Sequence, residues 1–126
     1  MKIASSKPRK QRKGRANAPL HIRHRMVACH LDRALRNEYN TRSLTVRKGD
    51  TVKILRGSEG IKGREAKVAE VNLKDLTLTL EDVTITKADG KQKARPIQPS
   101  NCMITKLDIG DPLRKEKLNK LKEASR

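Results

Sequence analysis

The chain has 126 residues, 31 of them Lys or Arg against 14 Asp or Glu, a net charge of +17, one aromatic side chain (Tyr39) and two cysteines. One domain with a core of small aliphatic side chains is what this length supports, and about 60–70 residues are expected to fold unaided, with the rest as extensions. The longest purely apolar run, Met26 to Cys29, excludes a membrane span or a secretory leader, and Cys29 and Cys102 are too isolated for a C-x-x-C metal site or a dense disulfide framework.

Both thiols therefore read as reduced, the chain is expected in the cytoplasm, and no cofactor or metal is expected. The histidines His21, His24 and His30 lie near Cys29, but no acidic or sulfur partner completes a ligand set at metal spacing.

Charge is placed unevenly. Residues 1–31 hold nine Lys or Arg and no acid, whereas residues 47–82 hold eight against seven. A nearly neutral middle with a basic arm suits a polyanion, because Lys and Arg that neutralise phosphates release counterions and so favour binding. A merely well-solvated surface mixes both signs.

The arm comprises residues 1–18. Seven basic side chains from Lys2 to Arg15, with Pro8, Gly14 and little apolar content beyond Ile3, predict a segment that is disordered alone and orders between nucleic-acid backbones. Residues 19–40 form a helical segment. Pro19 opens it, Leu20, Val27, Leu31 and Leu35 supply an apolar face, and Arg23, Arg25, Arg33 and Arg36 lie between. The segment reads as one amphipathic helix or a pair of short ones, with a break allowed near His30 because Asp32 suits the cap of a second helical piece ending before Asn40.

Residues 41–108 are predicted as a small barrel. Ser43 to Val46 begins it, Lys48-Gly49-Asp50 supplies a tight turn and Thr51 to Leu55 a strand. Arg56-Gly57 to Lys62-Gly63 is a loop with three glycines, whose backbone can approach a phosphate, but G-x-x-x-x-G-K-[ST] is not matched, so a nucleotide hydrolase has no support. The apolar parity changes between Val68 and Val71, which predicts a bulge near Ala69 of the kind that bends a strand into a barrel. Leu76 to Leu80 alternates with Thr77 and Thr79 as a half-buried strand. Val83 to Thr86 and Ile97, around Ala88-Asp89-Gly90-Lys91, predict a projecting hairpin; Pro96, Pro99 and Ser100 interrupt, and Asn101 to Leu107 returns as a closing strand. Residues 109–126 are a basic C-terminal tail, where Leu113, Leu118 and Leu121 suit equally a solvated tail or a helix ordered on RNA.

No paired carboxylates for two metals and no nucleophile beside a base appear, so an enzyme is not expected; Asp50 reads as a turn former and Glu65 as a surface strand residue. With Tyr39 alone, the chain lacks a stacking platform for reading single strands, and recognition of a folded RNA by shape and phosphate position is expected. The residues expected to meet it are Lys7, Arg9, Lys10, Arg12, Lys13 and Arg15 of the arm, Arg23 and Arg25 of the helical segment, and Arg47, Lys48, Arg56, Lys62, Gly63, Arg64, Lys93, Arg95, Ser100 and Asn101 of the barrel. Arg and Lys carry affinity, while backbone amides of the glycine loop and Ser100 or Asn101 fix register.

The run from Val46 to Val71 resembles a KOW motif. Its flanks, R-S-L-T-V-R-K-G-D-T-V at Arg42 to Val52, A-D-G-K at Ala88 to Lys91, R-P-I-Q-P-S-N at Arg95 to Asn101 and I-T-K-L-D at Ile104 to Asp108, are similar to the archaeal and eukaryotic form of the twenty-fourth universal large-subunit ribosomal protein. That resemblance implies a mostly β fold, an SH3-like barrel on the 5′ region of large-subunit rRNA, neighbouring large-subunit proteins as partners, a part in early assembly, and a place near the peptide exit tunnel where exit-site factors are candidate partners. A KOW-type transcription elongation module is the alternative, although the βαβ-like domain such a factor brings for polymerase contact has no counterpart here. The chain departs from the family in a longer loop and in Ala66, where a glycine is usual, and an altered turn is expected there.

Overall fold

The computed structural model describes residues 4–124, so Lys2 and Ile3 of the arm and the last two residues lie outside the described residues. In chain order the elements are α1 (Pro8–Ala16), α2 (Leu20–Met26), β1 (Ala28–Leu31), α3 (Arg33–Tyr39), β2 (Ser43–Thr45), β3 (Thr51–Ile54), β4 (Glu65–Asn72), β5 (Thr77–Thr86), β6 (Gln92–Ile97), a 3-10 turn (Pro99–Asn101), β7 (Cys102–Lys106) and α4 (Pro112–Ala124). The strands form one mixed, barrel-like sheet in the order β2-β1-β7-β3-β4-β5-β6.

The arm contains a helix where disorder was expected. Pro8 occupies its first turn with φ already set for a helix, Lys13 and Arg15 sit in the last turn where cations face the carbonyl end, and the straight-chain Arg, Lys and Gln side chains lose little freedom. None of its side chains is buried. Its carboxyl end is held instead by Arg23, which donates from Nη2 to the Ala16 carbonyl and from Nε to the Ala18 carbonyl at 2.9 Å.

The segment expected to hold one helix or two short ones contains a strand where the break near His30 was allowed. A spacing of four, as between Val27 and Leu31, returns to the same face of a helix and of a strand alike. The choice falls to β1 because Cys29 can pair with Leu44 in β2 and Leu31 with Ile104 in β7, the latter in parallel. Asp32 does stand at the start of α3, where its carbonyl accepts the Arg36 N–H at 2.8 Å, though its carboxylate makes no capping bond. Asn40, left-handed at φ 49°, ends the helix.

Around β3 the sheet follows the sequence expectation closely. Ala66 pairs with Val52 as an ordinary strand residue, and the positive φ angles of this region fall on Gly49, Gly60 and Gly63, so alanine at that position leaves the turn unaltered. The register shifts between Val68 and Glu70, which is the expected bulge at Ala69. Leu76, by contrast, belongs to the preceding turn at φ 56°. Asn72 makes that turn by accepting the N–H groups of Lys74 and Asp75 at 3.0 and 3.2 Å, and β5 starts only at Thr77. β5 and β6 form the expected hairpin with Gly90 at its tip. Pro96 lies inside β6 opposite Thr79; a missing N–H is tolerated there because β6 is an edge strand.

The core joins residues from every third of the chain: Val27, Cys29 and Leu31, then Val46, Val52, Ile54, Val68, Leu78 and Leu80, and finally Ile104 and Leu118. Each fully buried Val, Leu or Ile contributes about 1.5–3 kcal/mol over leaving it exposed. Leu118 is on α4, so the stretch expected as a tail is docked. Lys122 of α4 also donates to Glu38 at 2.6 Å and stands 4.7 Å from the centroid of the Tyr39 ring.

Cys29 and Cys102 are both buried in this core, side by side on β1 and β7. Cys29 Sγ donates to the Pro99 carbonyl at 3.0 Å, and the neighbouring Cys102 thiol, followed by burial, pushes the Cys29 thiol far above its ordinary range. Iodoacetamide at mildly alkaline pH is expected to label neither thiol of the native protein over a time in which the urea-unfolded chain reacts fully. Rapid stoichiometric labelling of the folded chain, read by mass spectrometry, would contradict this burial.

Candidate nucleic-acid interface

Two groups of candidate cations are fixed at the two ends of β3, and a buried ion pair fixes one of them. Asp50, fully buried, follows Gly49, whose φ of +96° and whose approach to Asp108 leave no room for a side chain: a Cβ there would lie 2.6 Å from Asp108 Oδ2. Arg114 of α4 grips the Asp50 carboxylate with Nη1 on Oδ1 at 2.5 Å and Nη2 on Oδ2 at 2.6 Å. The backbone N–H of Asp108 adds a bond to Oδ1 at 2.9 Å and that of Arg47 a bond to Oδ2 at 3.0 Å. Arg114 donates further to the carbonyls of Asp108 and Thr45, so both charges are enclosed and hydrogen-bonded. The expectation that Asp50 is simply a turn former is therefore incomplete.

Next to this pair, Arg47 Nη1 donates to Asp111 Oδ2 at 2.5 Å, while Asp111 Oδ1 accepts the Leu113 N–H and caps α4. The Arg47 guanidinium, and after it the Leu113 amide, hold the Asp111 carboxyl below the usual carboxylate range. Arg47 lines one groove with Arg25 of α2 and Lys117 of α4, and an adjoining cleft with Lys48, just before β3. Lys117 was not among the sequence candidates, since nothing local in the tail indicates that α4 docks here.

The second group stands beyond Ile54. The Asn101 carbonyl accepts the N–H groups of Leu55 and Arg56 at 2.7 and 3.4 Å, which joins the 3-10 turn to the glycine loop. Arg95 reaches Ser58 Oγ at 3.3 Å, and Arg64 reaches the Asp82 carbonyl at 3.3 Å. Arg56, Lys62, Arg64, Arg95, Ser100 and Asn101 thus share one end of the barrel. The loop amides do not face outward as expected. Those of Ile61, Lys62, Gly63 and Arg64 donate to Ser58, Ile54 and Ile61 within the hairpin, so Gly63 shapes the turn and offers no free N–H.

Arg23 is also differently employed. Besides Ala16 and Ala18, its Nη1 donates to the carbonyls of Leu73 and Lys74 at 3.3 and 2.6 Å, so it ties the arm and α2 to the β4–β5 turn. Lys93, opposite Ile85 on the far half of the β5–β6 hairpin, stands apart from both groups. Lys7, Arg9, Lys10, Arg12, Lys13 and Arg15 are all exposed on or beside α1. Among the described residues no group of three or more His, Cys, Asp or Glu gathers as a metal site, and no helix is long and apolar enough to cross a membrane.

Residues 5–121 match the family that unites the eukaryotic ribosomal proteins L26 with their archaeal L24 counterparts. The chain is 49% identical over 118 residues to the large ribosomal subunit protein uL24 of Methanosarcina barkeri, a match that covers 94% of this chain and 100% of that protein. It is 49% identical to uL24 of Methanothrix thermoacetophila over 114 residues, covering 90% and 97% of the two chains. Against uL24 of Methanoculleus marisnigri the identity is 48% over 118 residues, covering 94% and 96%.

Proposed function

The chain belongs to the family of eukaryotic ribosomal proteins L26 and archaeal ribosomal proteins L24, and from this we propose that it is a structural constituent of the large ribosomal subunit that binds large-subunit rRNA. The observation that carries this is a match across nearly the whole chain to proteins named uL24, at about half identity with the first of them. It decides against a transcription elongation module, which would share only the barrel motif. A scaffold role in a ribosomal family also leaves no step for a catalyst.

The physical features agree with an rRNA ligand. Exposed cations on α1 and at both ends of β3 present several separated contacts for phosphates on a rigid frame, as shape recognition of a folded RNA requires. Lys7, Arg9, Lys10, Arg12, Lys13 and Arg15 serve as the arm's phosphate contacts. Arg25, Arg47 and Lys48 form one barrel contact; Arg56, Lys62, Arg64, Arg95, Ser100 and Asn101 form the other, with Lys93 at the hairpin. Arg23 and Gly63 act by shaping these surfaces.

Finer placements follow from the family resemblance of the motifs at Arg42–Val52 and Arg95–Asn101. On that basis the chain sits on the 5′ region of the large rRNA, beside neighbouring large-subunit proteins, acts early in assembly and lies near the exit tunnel, where exit-site factors meet its outer face. Its compartment is the cytoplasm.

Fractionation of a lysate on a sucrose gradient tests the central reading. The protein is expected to travel with the large subunit, and purified protein is expected to bind a large-subunit rRNA fragment at least about tenfold more tightly than an unrelated structured RNA at physiological salt. Migration with RNA polymerase, or equal binding to the two RNAs, would overturn it.

A further inference from the structure

We propose that the cleft between α2 and the outer edge of β4 receives a single unpaired RNA nucleotide, its base against Ala69 and Val71 and its phosphate in the adjoining basic groove. This rests on the RNA-binding reading above and assigns a specific RNA component to the surface around Arg25, Arg47 and Lys48.

The cleft opens where the β3–β4 ladder ends. The β3–β4 ladder runs from Glu65 to Lys67, with two further bonds joining Val68 to Gly49 and Asp50. Beyond that point no described strand pairs with this edge of β4. Arg23, through its bonds to Leu73 and Lys74, holds α2 across the open edge. The resulting cleft, about 570 Å³, has a floor of Val46, Ala69 and Val71 and a rim of His24, Lys48 and Glu70. His24 and Arg47 also border a second, smaller groove of about 160 Å³, lined on its far side by His21, Arg25 and Lys117. Its deeper charges are already matched, Arg114 by Asp50 and Arg47 by Asp111, whereas among the described residues no acid pairs with Arg25 or Lys117.

An apolar floor beside unmatched cations fits one component of RNA and not another. A paired stem offers phosphate and ribose to a protein surface, and its bases cannot enter a cleft; an unpaired base is flat, largely apolar on its faces, and carries its phosphate on a short tether. The His24 imidazole supplies a surface for stacking in a chain almost without aromatics. Glu70 is the one acid on the rim, and a carboxylate there accepts from an exocyclic amino group, which cytosine has and uracil lacks.

The test uses the full chain and three fluorescein-labelled RNA hairpins with one stem sequence: fully paired, with a single bulged cytidine, and with a single bulged uridine. Binding is read by anisotropy at raised salt, where the arm's contribution is suppressed. The wild type is expected to bind the bulged-C hairpin about tenfold more tightly than the paired one, and the bulged-U hairpin less tightly than the bulged-C. Ala69→Leu fills the cleft and is expected to abolish the bulge preference while leaving paired-hairpin affinity within about twofold. Should Ala69→Leu fail to fold by circular dichroism, His24→Ala on the α2 surface gives the same readout, and Glu70→Gln is expected to narrow the C-over-U difference. Equal wild-type binding to bulged and paired hairpins, or a bulge preference that survives filling of the cleft, overturns the proposal. Either result with co-sedimentation intact removes the cleft and keeps the ribosomal role; loss of co-sedimentation removes that role itself.

Discussion

Asp50→Ala is expected to destabilise the chain by about 3–5 kcal/mol, because it leaves the Arg114 guanidinium buried without its anion. That is a large part of a total that is about 5–15 kcal/mol for domains in general. Urea unfolding followed by Tyr39 fluorescence checks it, since Tyr39 is the single aromatic residue and lies beneath Lys122 of α4. A fall in midpoint at unchanged slope measures the loss, while a lower slope reports that α4 has already come away in the native state. The double variant Asp50→Leu, Arg114→Met is expected to recover part of the loss, because removing both charges removes the cost of burying either, while the Arg47 and Asp108 N–H groups still lose their acceptor. A single-variant effect below about 1 kcal/mol is the range of an exposed ion pair and would show that the enclosure seen here contributes nothing. The consequence reaches the RNA surface: undocking α4 takes Lys117 and the Arg47–Asp111 contact away from Arg25.

Deletion of residues 1–18 is expected to leave the barrel folded and to weaken binding to a large-subunit rRNA fragment steeply. The deletion removes seven Lys or Arg and no acid. If each meets one phosphate, the slope of log K against log salt becomes shallower by about five to six units, and the affinity difference between the two proteins shrinks as salt rises. The folded state of the remainder is expected because α1 has no buried side chain, although Ala18 is lost with the arm and Arg23 then has fewer carbonyls to bind. Titrations of both proteins at several salt concentrations decide it. Unchanged affinity and slope would show the arm to be a bystander, and loss of the native unfolding transition would show that it supports the fold.

Much of the fold could be read from local pattern. The Gly49 turn, the β3 strand, the bulge at Ala69, the hairpin around Gly90 and the closing β7 strand all follow from alternation and turn residues, because each is specified by neighbours in the chain. The failures share a different character. Val27 to Leu31 obeys a spacing that helix and strand satisfy equally, and Leu76 keeps the parity of Leu78 and Leu80 although a side-chain bond from Asn72 turns the chain first.

The candidate site divides along the same line. That the chain is a basic arm on a nearly neutral barrel, and which motifs tie it to its family, was determined by the sequence alone, since net charge and contiguous motifs do not depend on how distant segments meet. Which cations share a surface was decided by tertiary structure. Asp50 and Arg114 are 64 residues apart, and no pattern in either neighbourhood announces the other. Their pairing depends on the desolvation of both charges when α4 packs on the barrel, and that cost and its compensation exist only once the core has closed around them.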